Sequence, residues 1–312
     1  MVPSSGSYSR STAVAGFIGI CLIWGSTWLA IKEGLHTVPP FMSAAIRFVL
    51  AAILLRLVMW HQGESIPRSR EYWSLIGETG FLTYAIPFAL IYWGQNQIPS
   101  GLSAILFATY PFFVALAARV RIPGERLSAM RVLGVLLGFV GVFTIFSTEM
   151  TLTDRVLSPL GMGAIVLSAF MQAYALITIR MKAQHVHPAT LTFGGMIVGA
   201  VFLSILSVML EDASSAVFDA RTLISIAYLS AFGTTFTFIT YFWLIKHVHP
   251  VLLSLTAFIT PIIAVTLGSV VLQENLGVEV LAGASLVLTG VLVANVPGLR
   301  TYFLKRREDA AK

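Results

Sequence analysis

TYPFFVALAARVRIPGERL (109–127) and ITPIIAVTLGSVVLQENL (259–276) are two versions of one segment. Pro111 stands against Pro261 at an offset of 150. One residue is then lost, and Glu125-Arg126-Leu127 meets Glu274-Asn275-Leu276 at an offset of 149. Beyond this segment Gly134 and Gly141 align with Gly283 and Gly290, still at 149. Before it Trp93 matches Trp243 at 150 and Pro40 matches Pro188 at 148. Agreement in three regions at nearly one offset implies a duplicated unit.

The chain has 312 residues, 57% hydrophobic and 11% charged, with a mean hydropathy of +0.85. Soluble domains carry about 25% charged residues, so water is not the main solvent here. A spanning helix needs about 20 apolar residues. Ten stretches qualify, at about 13–32, 41–60, 73–93, 100–120, 129–147, 159–180, 189–210, 223–245, 251–272 and 279–296. Their connections are short and leave no place for a soluble domain. Backbone groups in hydrocarbon must be satisfied internally, and these lengths suit helices rather than barrel strands.

The predicted fold is therefore an all-α membrane protein: ten transmembrane helices as two inverted five-helix repeats. Five is odd, so the second unit enters the membrane with opposite polarity, about a pseudo-two-fold axis in the membrane plane. The expected organisation is a cytoplasmic tail over 1–12, a first repeat over 13–147 and a periplasmic linker over 148–158. A second repeat over 159–296 and a basic cytoplasmic tail over 297–312 complete it. The first apolar stretch is too long for a signal peptide's core and is read as a retained span. Cys21 is the one cysteine, which rules out an intrachain disulfide.

Net charge is +6, with a pI near 9.6. With the N-terminus in the cytoplasm, sixteen of the twenty Lys and Arg residues fall on the cytoplasmic side. Only Lys32, Arg155 and Arg221 fall opposite, and Arg47 lies within a span. This is the positive-inside pattern, so the basic excess reports topology and not nucleic-acid binding. The expected partners are a small-molecule substrate and the lipid bilayer, with no nucleic acid. The C-terminal run Lys305-Arg306-Arg307 is expected to meet anionic headgroups.

IWGSTWLAIKEGL (23–35), PPFMSAAIRF (39–48), FATYPFFVAL (107–116) with PGERLS (123–128), and TPIIAVTLGSVVLQENL (260–276) follow one another in a specific order. That order, spacing and duplication resembles the drug/metabolite transporter superfamily, in its ten-span EamA-type branch. The resemblance covers about residues 13–296. It implies a secondary transporter of the bacterial inner membrane working by alternating access. Members with known roles mostly export amino acids, related metabolites or drugs, so the substrate stays open. No cofactor is expected. An ATP-driven pump is disfavoured because no G-x-x-x-x-G-K-[ST] loop is present. An intramembrane enzyme would need a buried catalytic constellation, and a non-transporting scaffold would not need inverted repeats with polar-centred helices.

Span centres mark the membrane midplane, where such repeats hold their substrate. The candidates there are Trp24, Ser26, Thr27, Tyr84, Tyr110, Gln172, Tyr174, Thr234, Thr235, Thr256 and Thr260. The set is aromatic, hydroxyl and amide, suited to a small amphipathic solute. The same hydroxyls can simply bond neighbouring backbone. Arg47, two turns into its span, is a candidate for a substrate carboxylate or else a cation reaching outward to water. Pro111 and Pro261 are candidate hinges or static kinks. Glu78 reads as a solvated or cation-paired acid near a span end.

Glu125 and Glu274 are candidate helix caps at the starts of the fifth and tenth spans. Gly134, Gly138 and Gly141 form a small-residue face for close packing, within the chain or in a possible homodimer. His-Val-His-Pro occurs at 185–188 and 247–250. A shared turn with a proline at the next helix start explains both copies better than a metal site does, and no metal is expected.

Overall fold

The computed structural model describes residues 10–151, 158–248 and 250–310. Residues 1–9, the centre of the expected linker, His249 and the last two residues lie outside these. Among the described residues all regular structure is helical. Ten apolar segments run in order: α1 Ser11–Gly34, α2 Pro40–His61, α3 Arg70–Gln97, α4 Ser100–Arg121, α5 Ala129–Ser147, α6 Pro159–Lys182, α7 Pro188–Leu210, α8 Ala220–Ile245, α9 Thr256–Val271 and α10 Val278–Tyr302. Nine are long and apolar enough to cross a membrane, and α9 is shorter because its first turn, Pro250–Leu253, is separate. The helix of α10 continues to Ala310, into the expected tail.

Local chemistry sets the helix starts. Pro40, Pro159 and Pro188 open α2, α6 and α7, where the missing N–H costs nothing. Ser69, Ser158 and Asp219 accept amide hydrogens from the first turns of α3, α6 and α8. His187 of the first His-Val-His-Pro caps α7 through Nδ1, accepting from the Ala189 amide at 3.3 Å. His247 of the second stacks on Trp243, with ring centroids 4.5 Å apart. Both histidines thus serve helix ends.

The packing follows the inverted repeat. α1 packs on α8 and α9, and α6 packs reciprocally on α3 and α4. α2 with α7, and α5 with α10, are pairs of repeat mates that meet across the pseudo-two-fold axis. The glycine face of α5 is filled by α10. A Cβ on Gly134 would stand 2.5 Å from the Gly290 carbonyl oxygen, and one on Gly141 would stand 2.5 Å from that of Gly283. The close approach is therefore internal, and this face is not open to a second chain. Gly138 between them faces the Phe112 ring of α4, leaving no room for a side chain.

Candidate functional site

Two helices carry a π turn at repeat-related places. In α3 it spans Phe81–Ala85, and in α8 Ala231–Phe236, an offset of 150 at the first residue. The two arise differently. In α3, Pro87 follows at once and cannot donate a backbone N–H, so the ladder slips and the Ile86 amide reaches the Phe81 carbonyl five residues back. In α8, Thr234 and Thr235 donate their hydroxyls to the carbonyls of Leu229 and Ser230, at 2.8 and 3.0 Å. Such turns concentrate at functional sites.

Arg47 meets the α8 turn. It is 4% exposed. Its Nε and Nη2 donate to the Thr234 hydroxyl at 3.2 and 3.1 Å, and its Nη1 to the Tyr92 hydroxyl at 3.3 Å. The guanidinium lies 5.3 Å from the Phe88 ring centroid, in cation–π range. No carboxylate pairs with it among the described residues. The alternative of an outward-reaching cation is corrected: α8 and α3 enclose the side chain. Gly195 is its repeat mate at offset 148, and it faces the α3 turn, where a Cβ would stand 2.5 Å from the Tyr84 ring.

Aromatic rings surround the two turns. Trp24 lies 5.3 Å from Tyr241 and 6.5 Å from Phe238, and Tyr84 lies 6.4 Å from Phe238 and 6.3 Å from Phe88. Trp28, Phe107 and Tyr110 continue the lining at 5.4 and 5.8 Å spacings. Tyr110 lies near both Tyr84 and Tyr241. Thr83 Oγ1 in the α3 turn and Gln172 Nε2 on α6 are buried polar atoms with no hydrogen-bond partner among the described residues. The α3 turn packs against α6.

The structure brings Trp24, Tyr84, Tyr110 and Thr234 to this centre, with Gln172 on the adjoining helix. Other candidates are used elsewhere. The hydroxyls of Thr27, Thr256 and Thr260 donate to carbonyls three or four residues back in the chain, those of Trp24, Leu253 and Thr256. Ser26 bonds the Tyr228 hydroxyl at 2.6 Å. Tyr174 lies under the Arg121 guanidinium, 4.3 Å from its centroid, with Arg121 also held by Thr178. Thr235 closes its own π turn.

Pro111 follows a break in α4 between Phe107 and Tyr110, whereas Pro261 sits inside the continuous helix of α9. Glu78 pairs with Lys182 at 2.6 Å on an exposed face. Glu125 pairs with Arg131 at 3.5 Å. Glu274 bonds amides at the start of α4 and not of α10. Phe88, Tyr92, Phe238, Tyr241 and Thr83 were not singled out by sequence. Pro87 and the Gly-Thr-Thr at 233–235 are the signals that could have found the π turns.

The sequence profile of the EamA-like transporter family matches twice, over residues 11–147 and 159–296. The chain belongs to that family. It is a multi-pass membrane transporter. The transporter is 25% identical over 302 residues to the uncharacterized transporter YoaV of Bacillus subtilis, covering 94% of this chain and 98% of the relative. It is 27% identical to the uncharacterized inner membrane transporter YedA of Escherichia coli K12, covering 87% and 85%. Protein PagO of Salmonella typhimurium is also 27% identical, covering 80% and 82%. A crystal structure of a protein 19% identical superposes with a TM-score of 0.66 over 94% of this chain and 99% of the other. At that identity the likeness speaks for the fold alone.

Proposed function

We propose that this transporter is a secondary carrier that exports amino acids or related small metabolites by alternating access, without ATP. The observation that carries the reading is Arg47. A guanidinium so deeply buried with only neutral hydroxyl partners is costly to hold within a membrane. A substrate carboxylate supplies the missing charge, and Arg presents a fork that fits one. The surrounding rings accept an apolar side chain, and Thr83 and Gln172 offer an unpaired hydroxyl and amide. YedA's name supports an inner membrane location. The segregation of basic residues supports cytoplasmic termini.

Purified protein in liposomes loaded with labelled amino acids should release them faster than empty vesicles do, with no ATP. Arg47→Ala should abolish that flux but spare solutes lacking a carboxylate. Equal flux in Arg47→Ala would sink the carboxylate assignment. The density of aromatic rings favours a second reading, a carrier of planar drug- or nucleoside-like solutes. The same vesicles loaded with those solutes decide between the two.

A further inference from the structure

At one end of the bundle the connection from α3 to α4 is gripped from both sides. Lys32 Nζ of α1 donates to the carbonyls of Gln95 and Ile98, at 2.8 and 3.0 Å. The Glu274 carboxylate, from the connection after α9, accepts from the amides of Ser100 and Gly101 at 2.6 and 3.0 Å, and from the Ser100 hydroxyl at 3.0 Å. A cation on the last carbonyls of one helix and an anion on the first amides of the next both complement the helix dipoles. The two charges also attract each other across the connection. Behind them Ser100–Leu106 is entirely buried. Gly101 lies against the Val265 backbone of α9, where a Cβ would stand 3.1 Å from the Val265 Cα. This end is shut.

The repeat carries the same charges to the other end. Lys32 maps to Arg180 at offset 148, Glu274 to Glu125 at 149, and the α3–α4 connection to the α8–α9 connection at 150. There the charges stand apart from the connection. Arg180 is exposed, and among the described residues Glu125 reaches only Arg131. Ile245 is 45% exposed, where its mate Gln95 is fully buried. α9 packs on the first half of α4.

We propose that Lys32 and Glu274 are the latch of one gate, and that Arg180 and Glu125 are the latch of the opposite gate, engaging when the transporter reverses its opening. The proposal rests on the alternating-access reading but not on any substrate. In the reversed state Arg180 bonds the carbonyls that end α8, and Glu125 accepts from the amides that begin α9. The second latch is the weaker. Pro250 stands where Ser100 stands in the first and has neither an N–H nor a hydroxyl. Ala118 stands where Gly268 stands in the first, so the helices cannot approach as closely there. The resting transporter is therefore closed at the Lys32 end, which the charge pattern places outside. A carrier that collects its cargo from the cytoplasm needs that resting state.

The test is cysteine accessibility in a Cys21→Ala chain purified without substrate. Ile98→Cys and Val248→Cys are repeat mates that report the two ends by their rates of reaction with a small soluble maleimide. Val248→Cys should react faster in the starting chain. Glu274→Gln should speed Ile98→Cys about fivefold and slow Val248→Cys. Glu125→Gln and Arg180→Gln should do the reverse, slowing Ile98→Cys about threefold, while Glu125→Asp keeps the starting ratio. A merely structural role for Glu125 leaves the ratio unchanged or speeds both sites, and either result overturns the proposal. No substrate is needed, so failure of the amino-acid reading in vesicles is distinguishable from failure of the latch.

Discussion

The seam between α2 and α8 and the seam between α7 and α3 are repeat copies with their bulk exchanged. In the first, Arg47 is large and meets Thr234. In the second, Gly195 has no side chain and meets Tyr84, the mate of Thr234. Both seams close over a π turn, so the backbone architecture is shared. The side chains differ so that one seam holds a cation and the other an aromatic ring. A symmetric scaffold can thereby offer an asymmetric solute two unlike faces. Duplication fixed where the seams lie, and later substitution fixed what each carries.

The largest expected break is Gly195→Leu. It drives a side chain into the Tyr84 ring and should cost about 3 kcal/mol, read as a fall in thermal midpoint in detergent. Tyr84→Ala in the same chain should recover most of the loss, since touching residues couple. Recovery of none would mean the clash lies elsewhere. Arg47→Ala should come next. It leaves buried hydroxyls on Thr234 and Tyr92 without their donor, costing about 1–3 kcal/mol. Arg47→Lys should restore little flux, because one ammonium cannot replace a fork.

Thr234→Val should cost about 1–2 kcal/mol, whereas Thr234→Ser should keep most of the stability by preserving the acceptor. Thr83→Val and Gln172→Leu sharpen the comparison in the other direction. Each removes a buried unpaired polar atom and should leave stability unchanged or raise it by about 1 kcal/mol while flux falls. A fall in stability with flux intact would show that these atoms serve packing. Smallest of all is Lys182→Ala, which breaks the exposed pair with Glu78 and should change stability by under about 1 kcal/mol.

Much of the fold was legible because the bilayer constrains it. Apolar length, short connections and the offset of Pro111 to Pro261 lead to ten helices in two inverted units. The proline-marked turns could be read too, since proline's missing donor acts locally. The glycine face of α5 was legible as a packing surface, but its partner was not, because one helix face does not state what covers it. Arg47 shows the same limit. Its place two turns into a span allowed either water or a buried partner, and only the position of α8 decided. Glu274 precedes α10 in the chain yet bonds the start of α4, because the loop folds back over a different helix.

The sequence by itself determined the solvent, the helix count, the duplication and the polarity of the repeats. Those follow from composition and period, which are sums over many residues. Only the tertiary structure decided which mates meet, where the helices slip into π turns, and which charges are engaged at each end. Those depend on single contacts between segments far apart in the chain. A repeat alignment names such residues as equivalents but cannot say that one copy grips its connection while the other stands apart from it.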